Sequence, residues 1–120
     1  MIKVVNKHWH KPTPDDIYIG RGSVLGNMWS HKQNTQATHI VNTREEAIQC
    51  YKQWLQTMIA RKDKDVCRVL NEIYRRAITG RSVYLVCYCK PNPCHGDVIK
   101  NIVEEKVRER QKDFSPLLFQ

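Results

Sequence analysis

The stretch VYLVCYCKPNPCHGDVIKNIV, residues 83–103, decides how the chain is read. Its first five residues, Val83 to Cys87, are nearly continuous in apolar character, which predicts a central strand covered on both faces. Pro91 and Pro93 stiffen a turn. Ile99, Ile102, Val103 and Val107 then recur at helical spacing, so a helix is expected from His95 or Gly96 onward. Strand, turn and helix in that order belong to an α/β domain. Three of the five cysteines also fall here, and a histidine follows the last of them. The segment that sets the fold therefore carries the densest chemistry.

Upstream, Thr43 and Glu46 make a capping box ahead of Ala47, Ile48, Tyr51, Leu55, Met58 and Ile59, which predicts a helix with one apolar face. The charged run at 61–65 interrupts it. Val66, Val69, Leu70, Ile73 and Ala77 continue as a second helix, and Gly80 stands where a terminating glycine would. Cys50 and Cys67 sit within this pair as packing residues. Nearer the start, residues 2–5, 17–19 and 39–41 read as short strands. Residues 29–38 read as a polar loop, and the tail 114–120 offers apolar side chains to the body or to a partner. The order implies one α/β domain over residues 1–120, with a short, largely parallel sheet and a helical pair in the crossover. In such sheets ligands sit beyond the carboxyl ends of the strands. Loops 20–27 and 88–97 both follow predicted strands, so they are expected to face one pocket.

Twenty Lys and Arg against twelve Asp and Glu give a net charge of +8, which favours anionic partners: a phosphorylated small molecule, a nucleotide or nucleic acid. No run approaches the roughly 20 apolar residues of a membrane span, so no membrane partner is expected. The opening MIKVVNKHWHK lacks the apolar core of a secretory signal, which makes the cytoplasm the expected location. An odd number of cysteines in a reducing compartment points to free thiols or metal ligands rather than a disulfide framework.

The loop IYIGRGSVLGN is not a Walker A loop, because the closing Gly-Lys-Ser/Thr is missing. Nor is it a dinucleotide fingerprint, since Leu25 stands where the third glycine belongs. Gly20, Arg21, Ser23, Gly26 and Asn27 still suit a phosphate or ribose: turn N–H groups can form an anion nest, and Arg21 carries a planar fork of donors. The competing reading is a surface turn.

The cysteine stretch admits three chemistries. Cys87, Cys89, Cys94 and His95 form a valid zinc set. Against it, Cys87 and Cys89 lie about 6.6 Å apart on an extended strand, so one ion bridges them only if the strand ends or bends near Tyr88. Alternatively Cys94, His95, Gly96 and Asp97, at a helix start, bind an anion, with His95 or Asp97 as general base. Thirdly, the cysteines are buried packing residues and Asp97 caps the helix. The expected cofactor set is none, with zinc the one metal these residues would suit.

The combination of YIGR-x-S-x-x-GN, TREEAI and C-x-C-x-P-x-x-CHGDVI resembles a small uncharacterised domain family of bacteria and bacteriophages, over residues 2–105. Members commonly show Gly-Arg-Pro-Ser, an aromatic-Gly-Asn step and Pro-Phe, where this chain has Gly22, Leu25 and Met28-Trp29. The resemblance implies a small three-layer, Rossmann-like domain and a nucleotide or nucleotide-derived ligand. The expected function is thus a small basic phage-type or bacterial accessory protein that binds such a ligand, with or without processing it. One alternative is an accessory protein that binds nucleic acid or a host protein through the basic helical pair (Lys52, Arg61, Lys62, Lys64, Arg68, Arg75 and Arg76). The other is a structural zinc domain.

Overall fold

The computed structural model describes residues 1–30 and 39–113. Residues 31–38 and the tail 114–120 lie outside them, and with them most of the predicted 29–38 loop and the expected docking of the tail. The elements are β1 (Ile2–Asn6), β2 (Asp16–Tyr18), β3 (Trp29–Ser30), β4 (His39–Ile40), α1 (Arg44–Ala60), α2 (Lys64–Ile78), β5 (Val83–Cys87) and α3 (His95–Asp113).

The main sheet has the order β1-β5-β2, with both outer strands parallel to β5. Ile2 faces Val83 across one pairing, and Tyr18 faces Val86 across the other. The apolar run at 83–87 is therefore the central strand, as its composition predicts. β3 and β4 form a separate parallel pair. The expected strand at 39–41 exists but outside the main sheet, and part of the predicted loop at 29–38 is its partner.

Alternation along the strands sends Ile2, Val4, Ile17, Ile19, Val83, Leu85 and Cys87 to one face. There they join Tyr51 and Leu55 of α1, Leu70, Ile73 and Tyr74 of α2, and Ile99 and Val103 of α3 in a single core. The opposite face carries exposed Lys3 and Tyr18, and His10 of the β1–β2 connection lies against Tyr84. All three helices bury their stripes on the first face. The described residues thus form a two-layer α/β domain with a short parallel sheet, and the second helical layer of a three-layer arrangement is not among them. Among the described residues, no helix is long and apolar enough to cross a membrane.

Caps define the helices. Thr43 Oγ1 accepts from Glu46 N at 3.0 Å, while Glu46 Oε2 accepts from Asn42 N, one residue before the reciprocal partner of a capping box. The charged run becomes a tight corner: Lys62 adopts a left-handed φ of 58°, and Asp63 caps α2 by accepting from Val66 N at 3.0 Å. The buried Tyr51 hydroxyl donates to Leu25 O at 2.7 Å, which pins the glycine-rich loop to α1. Leaving that carbonyl without a donor would cost about 1–3 kcal/mol.

Candidate functional site

Both predicted loops leave the carboxyl edge of the sheet. Pairing continues one residue beyond the strands, with Lys7 N donating to Cys87 O and Ile19 N to Val86 O. Asn6, buried at the end of β1, organises this edge. Its amide donates to Tyr88 O at 3.2 Å and Lys90 O at 2.7 Å, and its Oδ1 accepts from His8 N at 2.8 Å. In sequence, Asn6 is only the polar residue that follows the largely β-branched run at 2–5. Its pairing with loop 88–90 depends on the β1–β5 register, which no local pattern signals.

The helix start is knit from the predicted residues. Asp97 Oδ2 accepts from Cys94 N at 3.1 Å, and Asp97 Oδ1 forms an ion pair with Lys90 Nζ at 2.6 Å. Asp97 is thus the acidic member of a cap, held by a lysine from the turn. His95 is buried, and its Nε2 donates to Ile19 O, while Tyr51 meets its ring edge-on at 5.0 Å. Burial pushes its pKa below the ordinary histidine value, although the Ile19 bond opposes this. The neutral Nε2–H tautomer follows, since a carbonyl needs a donor. A Cβ on Gly96 would lie 2.7 Å from Val4 Cγ1 and 2.9 Å from Ile19 Cδ1, so a glycine lets α3 sit against the sheet.

The thiols converge. The Sγ atoms of Cys87, Cys89 and Cys94 all lie within 4.8 Å of one another, and the Cys87 and Cys94 sulfurs are 3.5 Å apart. The condition set by the Cys-x-Cys spacing is met, because β5 ends at Cys87 and the chain bends at Tyr88. Cys87 and Cys94 are buried and Cys89 is partly exposed. Hydrogen bonds from Cys87 and Cys94 hold the Cys89 thiol well below its usual range. The reciprocal contacts push Cys94 and Cys87 up. These three cysteines could hold a metal ion; His95 does not belong to the group.

In the glycine-rich loop, polar side chains bond back to the fold. Ser23 Oγ donates to Gly20 O at 2.6 Å, Asn27 Nδ2 donates to Ala47 O, and Asn27 Oδ1 accepts from Trp29 N at 2.9 Å. A Cβ on Gly26 would lie 2.6 Å from Gly20 O, so the loop closes on itself there. Its outer side and α1 enclose a recess of about 230 Å³, lined by Arg21, Ser23, Gly26, Asn27, Met28 and Trp54 among others. Exposed Arg21 spends one Nη2 contact on Trp29 O at 3.4 Å. Nothing in the local sequence marks Trp54, which lies beside the apolar face of α1, as a wall of this recess. No residue of 88–97 lines it. The two loops meet through the His95–Ile19 bond instead.

A small parallel-sheet domain with a thiol-rich strand-to-helix turn and a self-closed glycine loop is the class these features define. The chain belongs to the family described as Domain of unknown function (DUF4326), whose model matches residues 3–105. It is also 30% identical over 112 residues to an uncharacterised 12.4 kDa protein of the nrdA–td intergenic region of enterobacteria phage T4, covering 91% of this chain and 83% of that one. These matches agree with a small domain family that includes phage proteins. No solved structure matches the chain at a significant level.

Proposed function

We propose that this domain binds a phosphorylated nucleotide or nucleotide-derived ligand in the recess beside the glycine-rich loop. The recess carries the proposal: about 230 Å³ between the Arg21 loop and Trp54. The exposed guanidinium supplies a fork for phosphate oxygens, and the Trp54 ring supplies an apolar wall for a base. Placing the ligand past the carboxyl ends of parallel strands is the Rossmann-like behaviour the resemblance implies. His95 Nε2 is bonded inside the fold and the half-exposed Asp97 is taken by Lys90 and Cys94 N, which favours binding over a reaction at those two groups. A reducing, cytoplasmic setting belongs to the same reading, and five free thiols support it.

The test is thermal stabilisation of the native chain and Arg21→Ala across a panel of nucleotides. Ligand at a hundred times its Kd stabilises by about 2.7 kcal/mol. The expected result is a rise in Tm that the exposed-site variant largely loses. A flat response to the whole panel overturns the reading.

A second reading has its own observation. The three converging sulfurs favour zinc, for which thiolates at about 2.3 Å are the preferred ligands. Elemental analysis of protein purified without chelator should find about one zinc per chain, as a single such site requires. Cys89→Ser should lower that content, and metal-free native protein sinks this reading.

A further inference from the structure

The carboxyl edge carries a second surface, on the sheet face opposite the core. Strand alternation puts Lys7, Val86, Tyr88 and Tyr18 on that face. Tyr18 pairs with Val86, so Tyr88, two residues on, is its diagonal neighbour. The rings are 6.3 Å apart, edge to face. Lys7 Nζ sits over both, 5.5 Å from the centre of Tyr18 and 5.9 Å from that of Tyr88. His8 lies against Tyr88 at 5.2 Å. Tyr18 is 41% exposed, Tyr88 48% and Trp9 74%, and these are all the exposed large aromatic residues among those described. Single exposed rings are ordinary, but two exposed tyrosines in contact beside one lysine mark an interaction surface.

The charge there is positive and uncommitted. Lys3, Lys7 and Lys11 are exposed, and none enters an ion pair among the described residues. The acids of the neighbouring connection are taken, Asp15 by Arg81 at 3.1 Å and Asp16 by His10 at 2.8 Å. In the helical pair, Arg75 and Arg76 share Glu72. Exposed tyrosine rings, covered by a lysine that has no carboxylate partner among the described residues, match the chemistry of unpaired bases on a phosphate backbone, and a duplex would hide those base faces. Tyr18 also links this surface to the recess, because its hydroxyl donates to Arg21 O at 3.3 Å.

We propose that the ligand of this edge is single-stranded nucleic acid. Bases stack on Tyr18 and Tyr88, Lys7 leaves the ring faces to meet phosphate, and the strand runs past Arg21 toward the recess. The last contact rests on the nucleotide reading above; the stacking surface does not.

The test is fluorescence anisotropy with a short labelled single strand, its duplex and a labelled mononucleotide. The proteins are the native chain, Tyr18→Ala, Tyr88→Ala, Tyr88→Phe and Arg21→Ala, all changed at exposed positions. The single strand should bind more tightly than the other two probes. Tyr18→Ala and Tyr88→Ala should each weaken it roughly tenfold, whereas Tyr88→Phe, which keeps the π-face, should not. Equal binding of duplex and single strand, or tyrosine variants that bind like the native chain, overturns the proposal. Mononucleotide binding that needs Arg21, with the strand no tighter, overturns it while the recess reading survives. Strand binding that needs the tyrosines and ignores Arg21 upholds it and removes the recess.

Discussion

His95 shows what a residue name conveys and what it withholds. Beside a cysteine at a helix start, it reads as a ligand or a base. In the fold its Nε2–H holds the carbonyl of Ile19, so it fastens β2 to α3. That role depends on which strand lies beside β5, and no neighbouring residue encodes it. The burial has a pH signature. The folded-state pKa lies below the unfolded value of about 6.5, so below that value the unfolded chain binds the extra proton. The contribution to stability is therefore complete above about pH 6.5 and is lost as pH falls toward the folded pKa. Thermal melts between neutral and mildly acidic pH should show this decline. His95→Gln, which keeps an N–H donor but does not titrate, should flatten it; an unchanged slope would show that other groups set it.

At the scale of the element, the strand, turn and helix of residues 83–113 were largely legible. Apolar continuity marked β5 and periodicity marked α3, because both signals are local. The thiol cluster was only half legible. Its residues were evident, but whether they meet depends on β5 ending at Cys87, and Asn6, far away in sequence, ties down the turn that follows. The glycine loop was legible as a turn, not as a structure whose Ser23 and Asn27 are engaged within the fold. Gly96 tests the β–α contact. In Gly96→Ala the new methyl meets Val4 and Ile19, and overpacking of this kind costs about 1–3 kcal/mol. Urea denaturation should show a lower midpoint with an unchanged slope, and a variant as stable as the native chain would mean that α3 moves away freely.

For the whole molecule, the order of elements correctly indicated a mixed α/β fold with a short parallel sheet. The number of layers was not legible, because a run of apolar residues does not say whether helices or a loop cover the second face. Here the β1–β2 connection, through His10 and Tyr84, does part of that work. A metal in the thiol cluster would act on the whole domain, since it would join β5 to the first residues of α3. Chelator should then lower the Tm of the native chain and leave that of a Cys89→Ser protein unchanged.

The strand order also sets a timetable for synthesis. β1 and β2 pair only with β5, never with each other. A growing chain that has passed both outer strands and both middle helices still lacks the main sheet, and Ile2 waits for Val83. Contacts that distant in sequence form late and slowly. Until then the apolar faces of α1 and α2 lack the sheet and α3 that cover them in the finished core. The segment that begins at Val83 thus completes the core and assembles the thiols in one event, so a nascent chain stalled before residue 83 would be a client for chaperones rather than a partly folded domain.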